Sequence, residues 1–214
     1  MTFGPASIPG RVTITAILAY QLSAQDDDSY MLGDDTYIPA GDRYLFHDWR
    51  FGRDGVPHPA TCGTCGRKTR DDFVDPSFRV KKRRRDATAT YDGYLVVSQR
   101  LVDFGRAHGC ALDDMVELPA DRRFYWLRPT RALAFTGTTS QPCPACHGFY
   151  NVIGPQPLFC QGLHAPLPPG FYRSDLEFGS GPGQSPVIVV GAETGDALRG
   201  ARLSGVVLRP LSTA

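Results

Sequence analysis

Four of the six cysteines in this sequence are arranged as two Cys-x-x-Cys pairs, Cys62 with Cys65 and Cys143 with Cys146. Two thiolates at this spacing can face one metal ion while the residues between them turn tightly. Two such knuckles supply four sulfur ligands, which is the complete tetrahedral shell of a structural zinc site. A shell closed by four thiolates has no open position for substrate, so the pattern predicts a structural Zn²⁺ rather than a catalytic one.

The two pairs are far apart in the chain, with 77 residues between Cys65 and Cys143. We therefore predict two zinc knuckles, at 55–70 and 140–150, that meet through the fold and clamp two distant segments together. The spacing alone does not establish that they share one ion. Redox-active dithiols and structural disulfides are the alternatives, although neither pair opens a helix after a strand and no secretion signal is visible.

The other candidate chemical groups stand alone. We expect Cys110 and Cys160 to be buried thiols that pack as small hydrophobic side chains. His147 directly follows Cys146, and because adjacent side chains rarely reach the same ion, we expect it beside the site or in solvent. The five histidines are scattered singly. Since the sequence contains no Gly-x-Ser-x-Gly, His-Glu-x-x-His or nucleotide-binding fingerprint, we do not expect an enzyme.

The composition is that of a globular protein. The chain has 214 residues, of which 42% are hydrophobic and 21% charged, enough for a packed core. Its formal charge of +1 argues against a polycation that coats nucleic acid. The longest apolar stretch, Val12–Leu22, is shorter than the roughly 20 residues of a membrane span and lacks a clear cleavage site. We therefore expect a strand there, no membrane association and a cytoplasmic location.

Residues 92–135 have the pattern of a strand–helix–strand unit. Tyr94–Val97 is apolar and typical of a strand, and Ser98 is a favourable N-cap for a helix over Gln99–His108. Phe124–Phe135 is predicted as a longer strand that bends or breaks at its proline. The unit is therefore expected to pack one amphipathic helix against short strands.

Residues 185–210 repeat this plan, with a strand, a helix over 192–203 and a second strand. Between the units, residues 136–185 are rich in Gly, Pro, Ser and Thr, and 179–183 is predicted as a flexible loop. The sequence predicts an α+β fold of mostly short antiparallel strands, with at least two helices in strand–helix–strand units. A zinc-ribbon-like four-cysteine knuckle pair completes it, in a single domain over 1–214.

Two segments carry concentrated charge. Six of the seven residues in 79–85 are basic, and we call this segment the basic strip. Such a strip can bind phosphates, so a zinc-ribbon protein that binds nucleic acid is our second hypothesis for function. An acidic cluster at 26–35 balances it, and no aromatic or glycine pattern of an RNA-binding module accompanies it. Either segment can also supply electrostatic complementarity to a protein partner.

The two knuckles, the block Tyr94–His108 and the block from Ser174 to Pro210 together resemble the double-CXXCG motif proteins, a paralogous family of myxobacteria. The resemblance covers about residues 11–211, with His147 standing where the second motif has glycine. Some members of that family are immunity proteins, which protect a producing bacterium or its kin from a polymorphic toxin. The resemblance therefore implies a non-enzymatic, cytoplasmic protein that binds and neutralises a cognate toxin domain.

Overall fold

The computed structural model of the chain describes residues 17–33, 50 and 56–213. The sequence also predicts short strands at 37–39 and 44–51, but these segments lie outside the described residues apart from residue 50. Residues 12–16 of the first predicted strand lie outside them as well. The first strand of the structure is Ala19–Asp26. It therefore runs four residues past Leu22, the predicted end, and includes the first residue of the acidic cluster.

The described residues form thirteen strands and two α-helices. The strands are β1 (Ala19–Asp26), β2 (Ala87–Ala89), β3 (Leu95–Ser98), β4 (Met115–Glu117), β5 (Phe124–Leu127), β6 (Ala132–Leu133), β7 (Thr138–Thr139), β8 (Asn151–Ile153), β9 (Phe159–Cys160), β10 (Phe171–Ser180), β11 (Ser185–Gly191), β12 (Val206–Pro210) and β13 (Ser212–Thr213). The helices are α1 (Gln99–Ala107) and α2 (Ala192–Gly200). Neither of these helices is long and apolar enough to span a membrane.

Eleven of the strands form one mixed sheet with β1 at its centre. One edge of β1 pairs with β11, and the other pairs with β12 and, near its end, with β2. The sheet continues from β11 through β10 and β8 to β7, and from β2 through β3 and β5 to β4. Most of these pairs are antiparallel, so the predicted α+β fold of short antiparallel strands with two helices is confirmed.

Each helix follows directly from the second strand of an antiparallel hairpin. The hairpin β2–β3 leads into α1, and the hairpin β10–β11 leads into α2. The two helices then lead to β4 and β12, which is the predicted strand–helix–strand order. Helix α1 ends at Ala107 and α2 at Gly200, one and three residues before the predicted ends. The predicted strand after α1 is broken into β5 and β6, with Pro129 between them.

Ser98 occupies the N-cap position of α1 but does not cap the helix as predicted. Its hydroxyl donates to Asp86 Oδ1 at 2.9 Å, and no side-chain hydrogen bond caps α1. The buried carboxylate of Asp86 also accepts hydrogen bonds from Arg100 Nη1 at 2.9 Å and from the Ser204 N–H at 2.8 Å. A buried carboxylate needs hydrogen-bond donors to be stable. The Ser98 hydroxyl therefore donates to Asp86 and does not accept a hydrogen bond from the N–H groups of the first turn of α1.

Side chains alternate across the sheet and divide the core. The face beneath both helices holds one cluster, which includes Leu95, Val97, Leu101, Ile188, Val190 and Leu198. The opposite face holds two clusters, one centred on β3 and β5 and the other on β10 and β11. Ala60, two residues before Cys62, lies in the first of these two clusters. The first knuckle is thus anchored on the face away from the helices.

The basic strip packs against the acidic cluster. Lys82 Nζ lies 2.6 Å from Asp28 Oδ2, and Arg83 Nη2 lies 2.6 Å from Asp121 Oδ1. Further side-chain bonds run from Arg79 to the Ala120 carbonyl, from Lys81 to the Asp28 carbonyl and from Arg85 to the Asp26 carbonyl. Buried Asp27 accepts the backbone N–H groups of Lys81 and Lys82. Two of the six basic side chains of the strip therefore form ion pairs with carboxylates of the described residues, and three others donate to backbone carbonyls.

Candidate metal centre

The fold brings the two predicted knuckles together. The four sulfur atoms of Cys62, Cys65, Cys143 and Cys146 all lie within 4.8 Å of one another. Between the knuckles, the Sγ atoms of Cys62 and Cys143 are 3.9 Å apart, and those of Cys65 and Cys146 are 3.6 Å apart. Cys62 and Cys143 are buried, whereas Cys65 and Cys146 are partly exposed. We call this four-cysteine cluster the candidate metal centre.

The first knuckle is a tight hairpin held by backbone hydrogen bonds. The N–H of Cys62 donates to the carbonyl of Arg67 at 2.8 Å, and the N–H of Gly66 donates to the carbonyl of Cys62 at 2.8 Å. Thr61 and Lys68 flank the turn and form an isolated β-bridge. Gly66 has a φ of +72°, a left-handed conformation that glycine adopts without steric cost. The turn therefore depends on the residue that follows the second cysteine.

The second knuckle, between β7 and β8, repeats these bonds position by position. The N–H of Cys143 donates to the carbonyl of Gly148 at 2.7 Å, and the N–H of His147 donates to the carbonyl of Cys143 at 2.9 Å. Pro142 and Phe149 form the flanking bridge. His147 has a φ of +59° and therefore adopts the conformation that Gly66 adopts in the first knuckle. Its side chain is exposed, as predicted.

Replacing His147 with glycine is expected to stabilise the protein. A left-handed backbone costs a residue with a Cβ about 1–2 kcal/mol, and part of this gain is offset by the greater freedom of glycine in the unfolded chain. We expect a net increase of about 0.5–1 kcal/mol in the free energy of unfolding, measured by chemical denaturation.

Two substitutions in the first knuckle serve as matched controls. Gly66→Ala should destabilise, because it places a Cβ at a φ of +72°. Gly63→Ala should be neutral or slightly stabilising, because no atom lies within 4 Å of a Cβ there and its φ is not left-handed. A loss of stability in His147→Gly would contradict the assigned turn geometry.

Backbone N–H groups inside each knuckle point at the sulfurs. The N–H of Cys146 donates to the sulfur of Cys143 and is the main reason that the pKa of this thiol falls to about 6. Burial opposes ionisation of Cys62, but N–H groups, including that of Cys65, lower its pKa nonetheless. Burial raises the pKa of Cys65 to about 12 and also raises that of Cys146. One thiol in each knuckle thus ionises readily, and a divalent cation would be needed to hold all four as thiolates.

The apparent zinc affinity is expected to fall as the pH is lowered from about 8 to about 6, because protons compete with the metal for the sulfurs. The dependence should steepen as the pH approaches about 6, where Cys143 begins to bind a proton in the metal-free protein. A competition titration against a chromophoric chelator at several pH values measures this. An affinity that does not change with pH would argue against thiolate ligands.

The donor set fits zinc. Tetrahedral Zn–S bonds of about 2.3 Å place neighbouring sulfurs about 3.8 Å apart. The Cys62–Cys143 and Cys65–Cys146 sulfur distances of 3.9 and 3.6 Å lie on either side of that value. Soft thiolates in a four-sulfur arrangement are typical ligands of zinc or of iron–sulfur centres. Because sulfur fills all four positions, such a site would hold the two knuckles together rather than bind a substrate.

A second link between the knuckles runs through Gln184, which is fully buried. Its Oε1 accepts a hydrogen bond from Arg67 Nε at 2.8 Å, and its Nε2 donates to the carbonyl of Phe149 at 3.0 Å. Arg67 Nη2 also lies 3.1 Å from Glu177 Oε2 of β10. A Cβ at Gly148 would lie 2.9 Å from Arg67 Cδ, so glycine leaves room for the arginine. The two knuckles are thus joined by a polar bridge as well as by the sulfurs.

The structure separates the remaining cysteines from this centre. Cys110 and Cys160 are buried free thiols, as predicted, and neither belongs to the four-cysteine cluster. The Gln184 bridge was not predicted, because Gln184 and Arg67 are 117 positions apart and neither forms part of a recognisable motif.

Comparison with protein-family models and with curated proteins gave no match to this chain. The function is therefore inferred from the cysteine pattern and from the structure around it.

Proposed function

We propose that this chain is an immunity-type protein that binds and neutralises a cognate toxin domain in the bacterial cytoplasm, with a structural Zn²⁺ at the candidate metal centre. The supporting observation is the convergence of two distant Cys-x-x-Cys knuckles on one four-sulfur cluster. The same paired motif underlies the resemblance to the double-CXXCG family, which includes immunity proteins. Zinc has the role of fixing the scaffold that presents the binding surface.

A scaffold role agrees with the chemistry of the centre. Four sulfurs leave no ligand position for a substrate, so the metal would contribute stability and not catalysis. The link formed by Gln184 and Arg67 fixes the relative position of the knuckles on the side where they meet β10. A binding surface that is rigid before association loses less entropy on binding, which favours tight, stoichiometric complexes of the kind that immunity requires.

Co-expression with the product of a toxin-like reading frame beside the gene tests this proposal. We expect the full-length chain to restore growth of cells that express that toxin, and to form a one-to-one complex with an inactivated toxin in calorimetry. An unrelated toxin of the same enzymatic class is the specificity control. Growth arrest that persists despite soluble expression of the chain, together with no measurable complex, would overturn the proposal.

The second hypothesis, a nucleic-acid-binding protein, is weakened by the ion pairs of the basic strip. Lys82 and Arg83 already pair with Asp28 and Asp121, and phosphate contacts would have to replace these interactions. We therefore expect Lys82→Gln combined with Arg83→Gln to leave any association with duplex DNA or RNA unchanged in a salt titration. Wild-type binding that weakens in the double variant, with a smaller salt dependence, would favour the nucleic-acid hypothesis instead.

A further inference from the structure

A cleft of about 270 Å³ lies beside the candidate metal centre. It opens between two parts of the sheet, with Tyr94 and Trp126 from the side of β3 and β5, and Arg173 and Pro186 from β10 and β11. Cys146 of the second knuckle also lines it. At Gly93, next to this cleft, a Cβ would lie 2.6 Å from the Cβ of Ser185, so the two parts of the sheet approach each other closely there. The cleft is thus a concave site formed where the β3 and β11 regions face one another.

The charges that line the cleft are unequally paired. Arg67 forms an ion pair with Glu177 at 3.1 Å, and Arg128 forms one with Asp71 at 3.4 Å. The Lys68 ammonium donates to the carbonyl of Asp92 at 2.6 Å. Arg173 also lines the cleft, and its guanidinium forms no hydrogen bond or ion pair with any described residue. The cleft therefore offers one uncommitted planar cation with several donors, a group well suited to an oxyanion.

Arg173 stands where β10 is irregular. The pairing of β10 with β11 shifts register between Arg173 and Glu177, and both residues line the cleft. Irregularities of this kind redirect side chains and are frequent next to binding sites. Arg173 and Glu177 are four residues apart, so the alternation of side chains along β10 places both on the same side of the strand, and both line the cleft.

The hydroxyl of Tyr94 is a second uncommitted donor. Tyr94 is 5% exposed, and its hydroxyl has no hydrogen-bond partner among the described residues. Leaving a buried hydroxyl without a hydrogen-bond partner is destabilising, so a ligand oxygen that reached this hydroxyl would relieve the cost. Burial raises the pKa of Tyr94, which keeps the phenol protonated and able to donate.

The rest of the wall is apolar and aromatic. Tyr94 and Trp126 form an edge-on pair with ring centroids 5.1 Å apart, and Pro129, Pro186 and Ile188 lie around them. An inorganic ion alone would leave this surface without contacts. A ligand with a compact hydrocarbon body and one oxyanion satisfies both halves of the cleft.

We propose that this cleft binds a small organic anion, with its carboxylate or phosphate held by Arg173 and the Tyr94 hydroxyl, and its apolar body against Trp126 and the prolines. The proposed ligands of the anion, Arg173 and Tyr94, are separate from the four cysteines of the candidate metal centre, although Cys146 lines the same cleft. The proposal rests on these cleft residues and not on the immunity function.

Calorimetric titration of the full-length, zinc-loaded protein tests it, with benzoate, phenyl phosphate and inorganic phosphate as probes. We expect benzoate or phenyl phosphate to bind more tightly than inorganic phosphate. Tighter binding of benzoate would indicate a carboxylate ligand, and tighter binding of phenyl phosphate would indicate a phosphate ligand. Arg173→Gln should weaken binding about tenfold or more, and Tyr94→Phe by about threefold to tenfold. Arg122→Gln, at an exposed arginine outside the cleft, should leave binding unchanged.

Three results would overturn the proposal. The first is no heat of binding for either organic anion at millimolar concentration. The second is binding that Arg173→Gln does not weaken. The third is equal weakening by Arg122→Gln, which would indicate attraction to the general charge of the protein and not to the cleft. Circular dichroism of each variant confirms that a loss of binding does not reflect unfolding.

Discussion

Replacing Cys143 with serine is expected to release the metal and to lower the melting temperature by about 10 °C or more. Structural zinc contributes on the order of 10–16 kcal/mol of apparent binding free energy in peptide systems. Losing one of four ligands should therefore cost several kcal/mol, and for a chain of this size each 1 kcal/mol shifts the midpoint by about 2–4 °C. Elemental mass spectrometry gives the zinc content per chain, and thermal unfolding gives the midpoint.

Cys160→Ser is the matched control for this experiment. Cys160 is also a buried free thiol, with 2% of its surface exposed, but it lies outside the four-cysteine cluster. The Cys160→Ser protein should retain one zinc per chain. Like the wild type, it should unfold at a lower temperature when a chelator is added. Cys143→Ser should be insensitive to the chelator. A Cys143→Ser protein that still holds one tightly bound zinc, or a wild type purified without any metal, would contradict the assigned site.

The second large effect is expected at Asp92, which is fully buried. Its two carboxylate oxygens accept the N–H groups of Met31 at 3.1 Å and Leu32 at 2.7 Å. Asp92→Ala would leave both N–H groups buried without an acceptor, and each buried donor left unsatisfied costs about 1–3 kcal/mol. We expect a loss of about 3 kcal/mol or more in the free energy of unfolding, measured by urea denaturation.

Two further variants make this prediction specific. Asp92→Asn keeps the volume and one acceptor oxygen, so it should cost less than Asp92→Ala. Asp72→Ala removes an exposed carboxylate that pairs with Arg70 at 3.2 Å, and such surface pairs contribute about 0–1 kcal/mol. If Asp92→Ala were no more destabilising than Asp72→Ala, the loop around Met31 and Leu32 would not depend on the buried carboxylate.

Local signals in the sequence were sufficient for the helices and for the cysteine knuckles. The apolar run before Ser98 and the helical pattern after it located β3 and α1 to within about one residue. The two Cys-x-x-Cys pairs identified the residues that converge, because their chemistry is set within four positions of the chain. The meeting of the two knuckles in space depends on strand pairings between residues far apart in the chain, and a local sequence pattern cannot predict these pairings.

The longest strand of the sheet was not predicted. β10 runs from Phe171 to Ser180, and its register shift between Arg173 and Glu177 interrupts the alternation of polar and apolar residues that normally indicates a strand. The segment 179–183, predicted as a flexible loop, instead contains the end of β10 and a single turn of 3₁₀-helix over Gly181–Gly183. Glycine and proline there indicated a turn correctly, but the strand that leads into it depends on pairing with β8 and β11.

The long separation of the two knuckles has a consequence for the order of folding. During synthesis the first knuckle emerges well before Cys143, and α1 and the strands from β2 to β7 lie between them. Because closing so long an unfolded loop costs entropy, we expect the four sulfurs to meet after most of the intervening chain has folded, so that the candidate metal centre forms after the transition state. Interactions formed after the transition state slow unfolding and leave the folding rate nearly unchanged. Bound zinc should therefore extend the lifetime of the native state rather than accelerate its formation.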